Sequence, residues 1–166
     1  AVARDRLPGG GKVADARREA FEIYQRAGLP HRRIEDWKYT DLRALMREVL
    51  PSAAAPDATA VKRADSALKP HTITGARPLV LVDGVFVAQL SDADDFEPGL
   101  SVRTLREVLE AGDDAVQAQL LSPDSSDPMV ALTTAMMTDG LVIDVVDGAV
   151  RAHPLPIDIG RAHGLP

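Results

Sequence analysis

Cysteine does not occur anywhere in the 166-residue chain. That absence excludes a disulfide framework, a thiolate zinc site, a cysteine nucleophile and any iron–sulfur cluster held by the chain's own thiolates. Histidine is sparse, and His31, His71, His153 and His163 show no i, i+4 pairing, so the spacing of a helical metal site is missing. No uncharged apolar run approaches the ~20 residues of a membrane span. The opening Ala-Val-Ala-Arg-Asp-Arg lacks the basic-then-apolar order of a signal peptide, and the expectation is a cytoplasmic protein with no membrane contact. Basic residues are scarce in the middle: residues 83–127 carry two Lys/Arg against eleven Asp/Glu, a balance that repels phosphate backbones and anionic lipids and disfavours nucleic-acid partners. Aromatics make up only 4% of the chain.

What is present suffices for a core. At 45% hydrophobic and 27% charged residues with a net charge of −6, the composition is that of an ordinary folded domain or of two small ones. Residues 1–11 end in Leu-Pro-Gly-Gly-Gly and read as a flexible tail. From Lys12 the apolar positions Val13, Ala16, Ala20, Phe21, Tyr24 and Ala27 step by three or four, with Arg17, Arg18, Glu22 and Arg26 elsewhere, which predicts an amphipathic helix ending at Gly28-Leu29-Pro30. Thr40 is the expected N-cap of a second helix whose apolar face is Leu42, Leu45, Met46, Val49 and Leu50, stopped by Pro51. Residues 51–60 hold nothing larger than Thr or Pro, and the segment 51–70 is expected to be a mobile linker.

Leu79–Val82, Asp83-Gly84 and Val85–Leu90 predict a tight β-hairpin. Leu100–Arg103 is a short strand, and Thr104 caps a helix through Leu109 with Glu107 as its capping-box partner. A helix over 114–121 is expected. Asp127-Pro128 pairs an N-cap with proline at the first helical position, and residues 128–138 carry no charge, so that helix is buried on most sides until Gly140 ends it. Leu141–Val146 is a strand, Asp147-Gly148 a second hairpin turn with 149–152 returning, and Leu155, Ile157 and Ile159 alternate as a final strand.

Several chemical motifs fail on spacing. In Gly9-Gly10-Gly11-Lys12 the first glycine of a phosphate loop would fall on Arg6, and Val13 stands where Ser or Thr must hold magnesium. A calcium loop starting at Asp92, Asp94 and Asp95 meets Phe96, Glu97 and Arg103 where further ligands are required. No Gly-x-Ser-x-Gly elbow exists. One segment stands apart: residues 30–42, Pro-His-Arg-Arg-Ile-Glu-Asp-Trp-Lys-Tyr-Thr-Asp-Leu, hold the only tryptophan and one of two tyrosines. Two readings stay open. Either Trp37 and Tyr39 anchor a helix–helix junction, with Glu35 and Asp36 pairing Arg32 or Arg33, or they present a partner-binding anchor, since Trp, Tyr and Arg dominate interface energetics.

The core Glu35-x-Trp37-Lys38-Tyr39-Thr40-Asp41-Leu42 resembles the N-terminal signature of the SufB/SufD family of the SUF iron–sulfur cluster assembly system, its SufD members in particular. Pro78–Phe86 is similar to the family's strand, Asx-Gly turn and second strand, and Leu90-Ser91 with Gly99–Val102 and Leu105 continues it. Ala131–Val145 is similar to the family's helix and strand, with Thr133 where Asn is usual and Met137 near a usual Phe. The resemblance covers residues from about 13 to 159 and only the N-terminal region of such proteins. Their β-helix, which pairs SufB with SufD, and their C-terminal helices, which dock the SufC ATPase, have no counterpart here, so the sequence looks like an excised N-terminal domain.

The expected architecture is α+β: a helical pair at 12–50, a linker at 51–70, then at 71–166 a small, mainly antiparallel sheet with packed helices, leading toward the β-helix of the family. The resemblance implies a structural, partner-binding role beside SufB-like and SufC-like subunits, without catalysis and with no cofactor in this chain. It makes Arg33, Glu35, Trp37, Tyr39, Thr40 and Asp41 the candidate anchor residues. A strand at 155–159 lacking its β-helix neighbours would invite weak homodimers. The alternatives are a small hydrolase or transferase assembled from unlinked Asp, Ser and His residues, and an independent adaptor.

Overall fold

The computed structural model describes residues 7–48, 54–94, 96–112, 127–150 and 152–161, which form two compact units. The first draws on the chain up to Ser52 and on Val108–Met137, the second on Ala53–Glu107 and on the chain from Thr138. The expected division at a linker is therefore replaced by two units that each use two separate stretches of chain. The helix expected over 114–121 lies outside the described residues.

In the first unit α1, Lys12–Ala27, follows the three-and-four spacing of its apolar residues and ends at Gly28, whose positive φ of 71° suits a residue without a Cβ. Its buried positions are Val13, Arg17 and Ala20. Arg17 was expected on the polar face, yet only 7% of it is exposed. The guanidinium is kept inside because Nη1 donates to the Ala135 carbonyl at 3.2 Å and Nη2 to that of Pro8 at 2.9 Å, and burial pushes its pKa below the ordinary arginine value. Of the expected tail, residues 1–6 lie outside the described residues and residues 7–9 are packed rather than loose, while Gly10 and Gly11 are exposed. Pro8 is buried, and a Cβ on Gly9 would lie 2.8 Å from the Leu109 carbonyl oxygen.

The uncharged helix α5, Pro128–Met136, packs against α1. The Asp127 carboxylate caps it by accepting from the Met129 and Val130 amides at 2.7 and 3.3 Å, as the Asp-Pro pair predicts. The helix stops at Met136, short of the expected Gly140. The second helix of the expected pair is reduced to one turn, α2, Leu42–Leu45, and its cap is Asp41 rather than Thr40. A side chain at Asp41 accepts from the amides of Arg43 and Ala44, and an ionised oxygen is the stronger acceptor. Leu45 and Met46 remain exposed and Leu42 is only partly buried, while Val49 and Leu50 lie outside the described residues.

In the second unit the segment expected as linker holds α3, Ala58–Leu68, capped by Asp57 through Ala60. Composition misled here because small side chains seemed too poor in apolar area to order. They instead let the backbone approach: Ala60 and Ala64 pack directly on Val80, Val82 and Val87. Strand β1, Leu79–Val82, is wholly buried and sits between two neighbours. It pairs antiparallel with β2, Val85–Phe86, through a turn in which Asp83 and Gly84 both have positive φ, the primed geometry that suits strand twist. The chain then leaves the sheet in a 3-10 turn at Ala88–Leu90, so the second strand is shorter than the run 85–90 suggested. On its other side β1 pairs in parallel with β5, Ile157–Gly160. That makes the sheet mixed rather than mainly antiparallel, and the last strand is an edge paired on one side instead of a wholly unpaired one.

A separate antiparallel ribbon joins β3, Leu100–Thr104, to β4, Leu141–Val145. The second Asp-Gly turn does not open a hairpin. The chain bends there, the Ala149 amide donating to the Val146 carbonyl, and no strand follows at the described residues 149, 150 and 152. The capping box forms as expected at α4, Leu105–Ala111: the Thr104 amide and hydroxyl donate to Glu107 Oε2 at 2.9 and 2.8 Å, and the Glu107 amide donates to Thr104 Oγ1 at 3.1 Å.

These bonds from Thr104 hold the Glu107 carboxyl below its ordinary range. A depressed folded pKa stabilises the fold above the unfolded value, near ~4.3 for Glu, and that contribution is lost as pH falls through the folded value. Thermal unfolding of Thr104→Ala should show a loss of about 1 kcal/mol near neutrality. Glu107→Gln should be less acid-sensitive than the parent below about pH 4; parallel stability curves for parent and Glu107→Gln would contradict this account.

Candidate functional site

The aromatic segment expected to carry function belongs to the first unit and is built from the end of α1 onward. Gly28 turns the chain, and the Leu42 amide donates back to the Pro30 carbonyl at 3.1 Å. Arg43 Nε donates to Leu29 O at 3.0 Å, which draws residues 30–42 into a closed loop. Inside it a 3-10 turn, Glu35–Trp37, runs on to a Thr40 amide donating to the Trp37 carbonyl at 2.9 Å. Pro30 is buried at the loop's base.

Trp37 and Tyr39 do different things. Trp37 is half-buried, and its indole N–H donates to Asp127 Oδ2 at 3.3 Å. The same carboxylate caps α5 through its other oxygen, so one side chain ties the loop to the helix. Tyr39 is 92% exposed and anchors no packed junction. Its ring has the Lys38 ammonium 5.3 Å from its centroid, within cation–π range, and that ammonium also bonds Glu35 at 2.7 Å. Glu35 thus pairs with Lys38 and not with Arg32 or Arg33. The Arg33 amide donates to the His31 ring at 3.2 Å, leaving its side chain at the surface. Thr40 is exposed and Asp41 is occupied as the cap of α2.

With Ile34, Leu45 and Met46 also solvent-facing, the loop offers an aromatic ring, aliphatic side chains and two exposed arginines. Aromatic and arginine side chains are the types enriched at interface centres. The Trp37–Asp127 link was not foreseen. Asp127 announced itself only as a helix cap, and nothing in the sequence signals a bond between residues ninety positions apart.

The residues of the catalytic alternative do not assemble among those described. Ser91 Oγ is engaged by backbone, accepting from the Val80 amide and donating to the Val87 carbonyl. His153 lies 3.3 Å from Glu97 at the surface, and Ser101 meets Asp144 on the β3–β4 ribbon. Among the described residues no three or more His, Cys, Asp or Glu side chains converge as a metal site, and no helix is long and apolar enough to cross a membrane.

In this α+β chain polar contacts hold an exposed aromatic loop in place, and the Ser, His and Asp residues named above are dispersed or used structurally. The family model of the SufBD protein N-terminal region matches residues 11–157, and the chain belongs to that family, which acts in SUF iron–sulfur cluster assembly. No curated protein matches the chain.

The two aromatic positions separate in a stability assay. Trp37→Phe keeps an aromatic, though smaller, side chain but removes the indole donor and should cost about 0.5–1.5 kcal/mol, whereas Tyr39→Ala should lie within about 0.5 kcal/mol of the parent. Equal losses in both variants, measured by chemical denaturation, would mean that Tyr39 is structural after all.

Proposed function

We propose that this chain is the N-terminal, partner-binding domain of a SufD-like component of a SufB–SufC–SufD-type assembly scaffold, working in the cytoplasm without catalysis. The observation that carries the reading is the exposed Tyr39 on a loop fastened at Trp37 to the cap of α5, within a chain of the SufBD N-terminal family. A preformed loop loses little conformational freedom on binding, so a single exposed ring held in this way delivers more of its contact energy. Arg33 and Ile34 flank it as the surrounding contact surface. In this reading Glu35 and Asp41 shape the loop, and Thr40 continues its backbone turn.

The SufB-like subunit is the partner assigned to this loop. The resemblance puts both the β-helix that pairs SufB with SufD and the C-terminal helices that dock the SufC-like ATPase outside the matched region, so the loop is proposed as a contact to the SufB-like subunit additional to the β-helix pairing. In a reconstituted complex Tyr39→Ala should therefore weaken assembly with the SufB-like subunit by on the order of 30-fold, the effect of losing one interface hot spot, while ATPase docking stays unchanged. Assembly at parental affinity would remove the loop from the interface, and a loss of ATPase docking would assign it to the other partner.

The chain itself is proposed to hold no cofactor. Anaerobic incubation with iron and sulfide should leave no visible absorption after desalting, and a stoichiometric retained chromophore would overturn that assignment.

A further inference from the structure

The segment that carries the exposed loop differs in charge from the chain as a whole. Residues 26–47 hold six Lys/Arg against three Asp/Glu, a local balance of +3 in a chain whose net charge is −6. The backbone gathers these cations at one end of the first unit. Arg26 stands in the last turn of α1, and Arg32 and Arg33 lie on the loop. Arg43 reaches back to the end of α1, where its Nε donates to the Leu29 carbonyl and its Nη2 lies 3.9 Å from a Cβ placed on Gly28. Arg47 follows α2, its Nε donating to the Ala44 carbonyl at 3.1 Å. All five arginines are exposed.

Two of the three carboxylates of the segment are committed locally: Glu35 pairs with Lys38, and Asp41 is held by the amides that it caps. Solubility alone would explain exposed cations, but here they share a short segment with exposed Ile34, Tyr39, Leu45 and Met46. An apolar centre with a charged rim is the layout of a docking surface, and the sign of the rim states the sign of what it meets. Arginine outnumbers lysine five to one in this segment, and its planar fork matches a carboxylate with two parallel hydrogen bonds. Phosphate backbones also attract arginine, but a chain of net charge −6 repels a polyanion at long range, and the aliphatic side chains would have no counterpart there.

We propose that this end of the first unit docks on an acidic patch of the SufB-like subunit, where carboxylates surround an apolar recess. The arginines steer and orient the approach, and Tyr39 supplies the contact that keeps the complex together. This rests on the loop being a contact to that subunit, and adds the chemistry of the surface it meets. The two roles separate in kinetics, because exposed rim charges act mainly on the rate of association and a central anchor on the rate of dissociation.

The test is the binding kinetics of the 166-residue chain on immobilised SufB-like subunit from about 0.01 to 1 M salt, over which the screening length falls from ~30 to ~3 Å. The association rate should fall at least about tenfold across that range while the dissociation rate changes far less. Arg32→Glu combined with Arg33→Glu should lose at least about tenfold in association rate at the low-salt end and flatten the salt dependence, with the paired Gln substitutions in between. Tyr39→Ala should instead raise the dissociation rate and keep the parental salt dependence. The loop is closed by backbone bonds and by Arg43 rather than by the side chains of Arg32 and Arg33, and parental Trp37 fluorescence verifies that it is intact in each variant. A salt-independent association rate, or parental association by the glutamate pair, with Tyr39→Ala still weakened, would overturn the acidic-patch proposal and leave the loop as the contact. Parental kinetics in the glutamate pair and in Tyr39→Ala together, or no binding by the parent chain, would overturn both. Saturable binding of duplex DNA that competes with the subunit would overturn the proposal in favour of a nucleic-acid partner.

Discussion

The carboxylate of Asp127 meets two obligations at once, and the first unit is organised around that coincidence. One oxygen accepts from the first amides of α5, where orphan donors and the positive end of the helix dipole favour a negative group. The other accepts the indole N–H of Trp37. Either bond alone is ordinary. Together they make the start of a buried, uncharged helix the fixed point from which a surface loop is hung. At the opposite end of the same helix Arg17 holds the Ala135 carbonyl, so α5, which has no charge of its own over residues 128–138, has its polar ends served by side chains from elsewhere.

The second unit solves a different problem with different means. Its central strand has no exposed residue, and the cover on the Val80 and Val82 face comes from alanines. Small residues bring α3 close enough that Gly160 of β5 lies 3.9 Å from Ala64 when given a Cβ. The edge strand then places Asp158 opposite Val80, beside a cavity of about 150 Å³ that α3 also lines, while Ile157 and Ile159 face outward. Alternation is intact, but its polarity is inverted relative to the usual inward apolar face. Asp158 shares the lining of that cavity with Asp65 and Lys69, which pair with each other.

What could be read from the sequence follows from where the physical chemistry is local. Asp127-Pro128, the Thr104 and Glu107 pair, Asp83-Gly84 and Gly28-Leu29-Pro30 each state a backbone requirement within four residues, and each is met in place. The exposed loop was also legible as unusual, because it concentrates scarce aromatics. Arg17 was not, since helical periodicity sorts residues by polarity and cannot see two carbonyls waiting at the far ends of other segments. Helix α3 was misjudged because alanine counts as little apolar area although it permits close backbone approach. The parallel pairing of β1 with β5 is a choice of a distant partner, which no local pattern encodes.

The parallel register carries a consequence for how the chain comes into being. Leu79 waits for Ile157, on the order of eighty residues downstream, which is several seconds of synthesis at ~5 to 20 residues per second. Throughout that interval the most apolar strand of the molecule has for company only elements made close to it in sequence, among them β2, α3 and the turn at Ala88–Leu90. The first unit is in the same position, since α1 is made long before α5. Neither half can complete itself on the ribosome in simple N-to-C order, because each unit joins two stretches of chain that are separated in sequence.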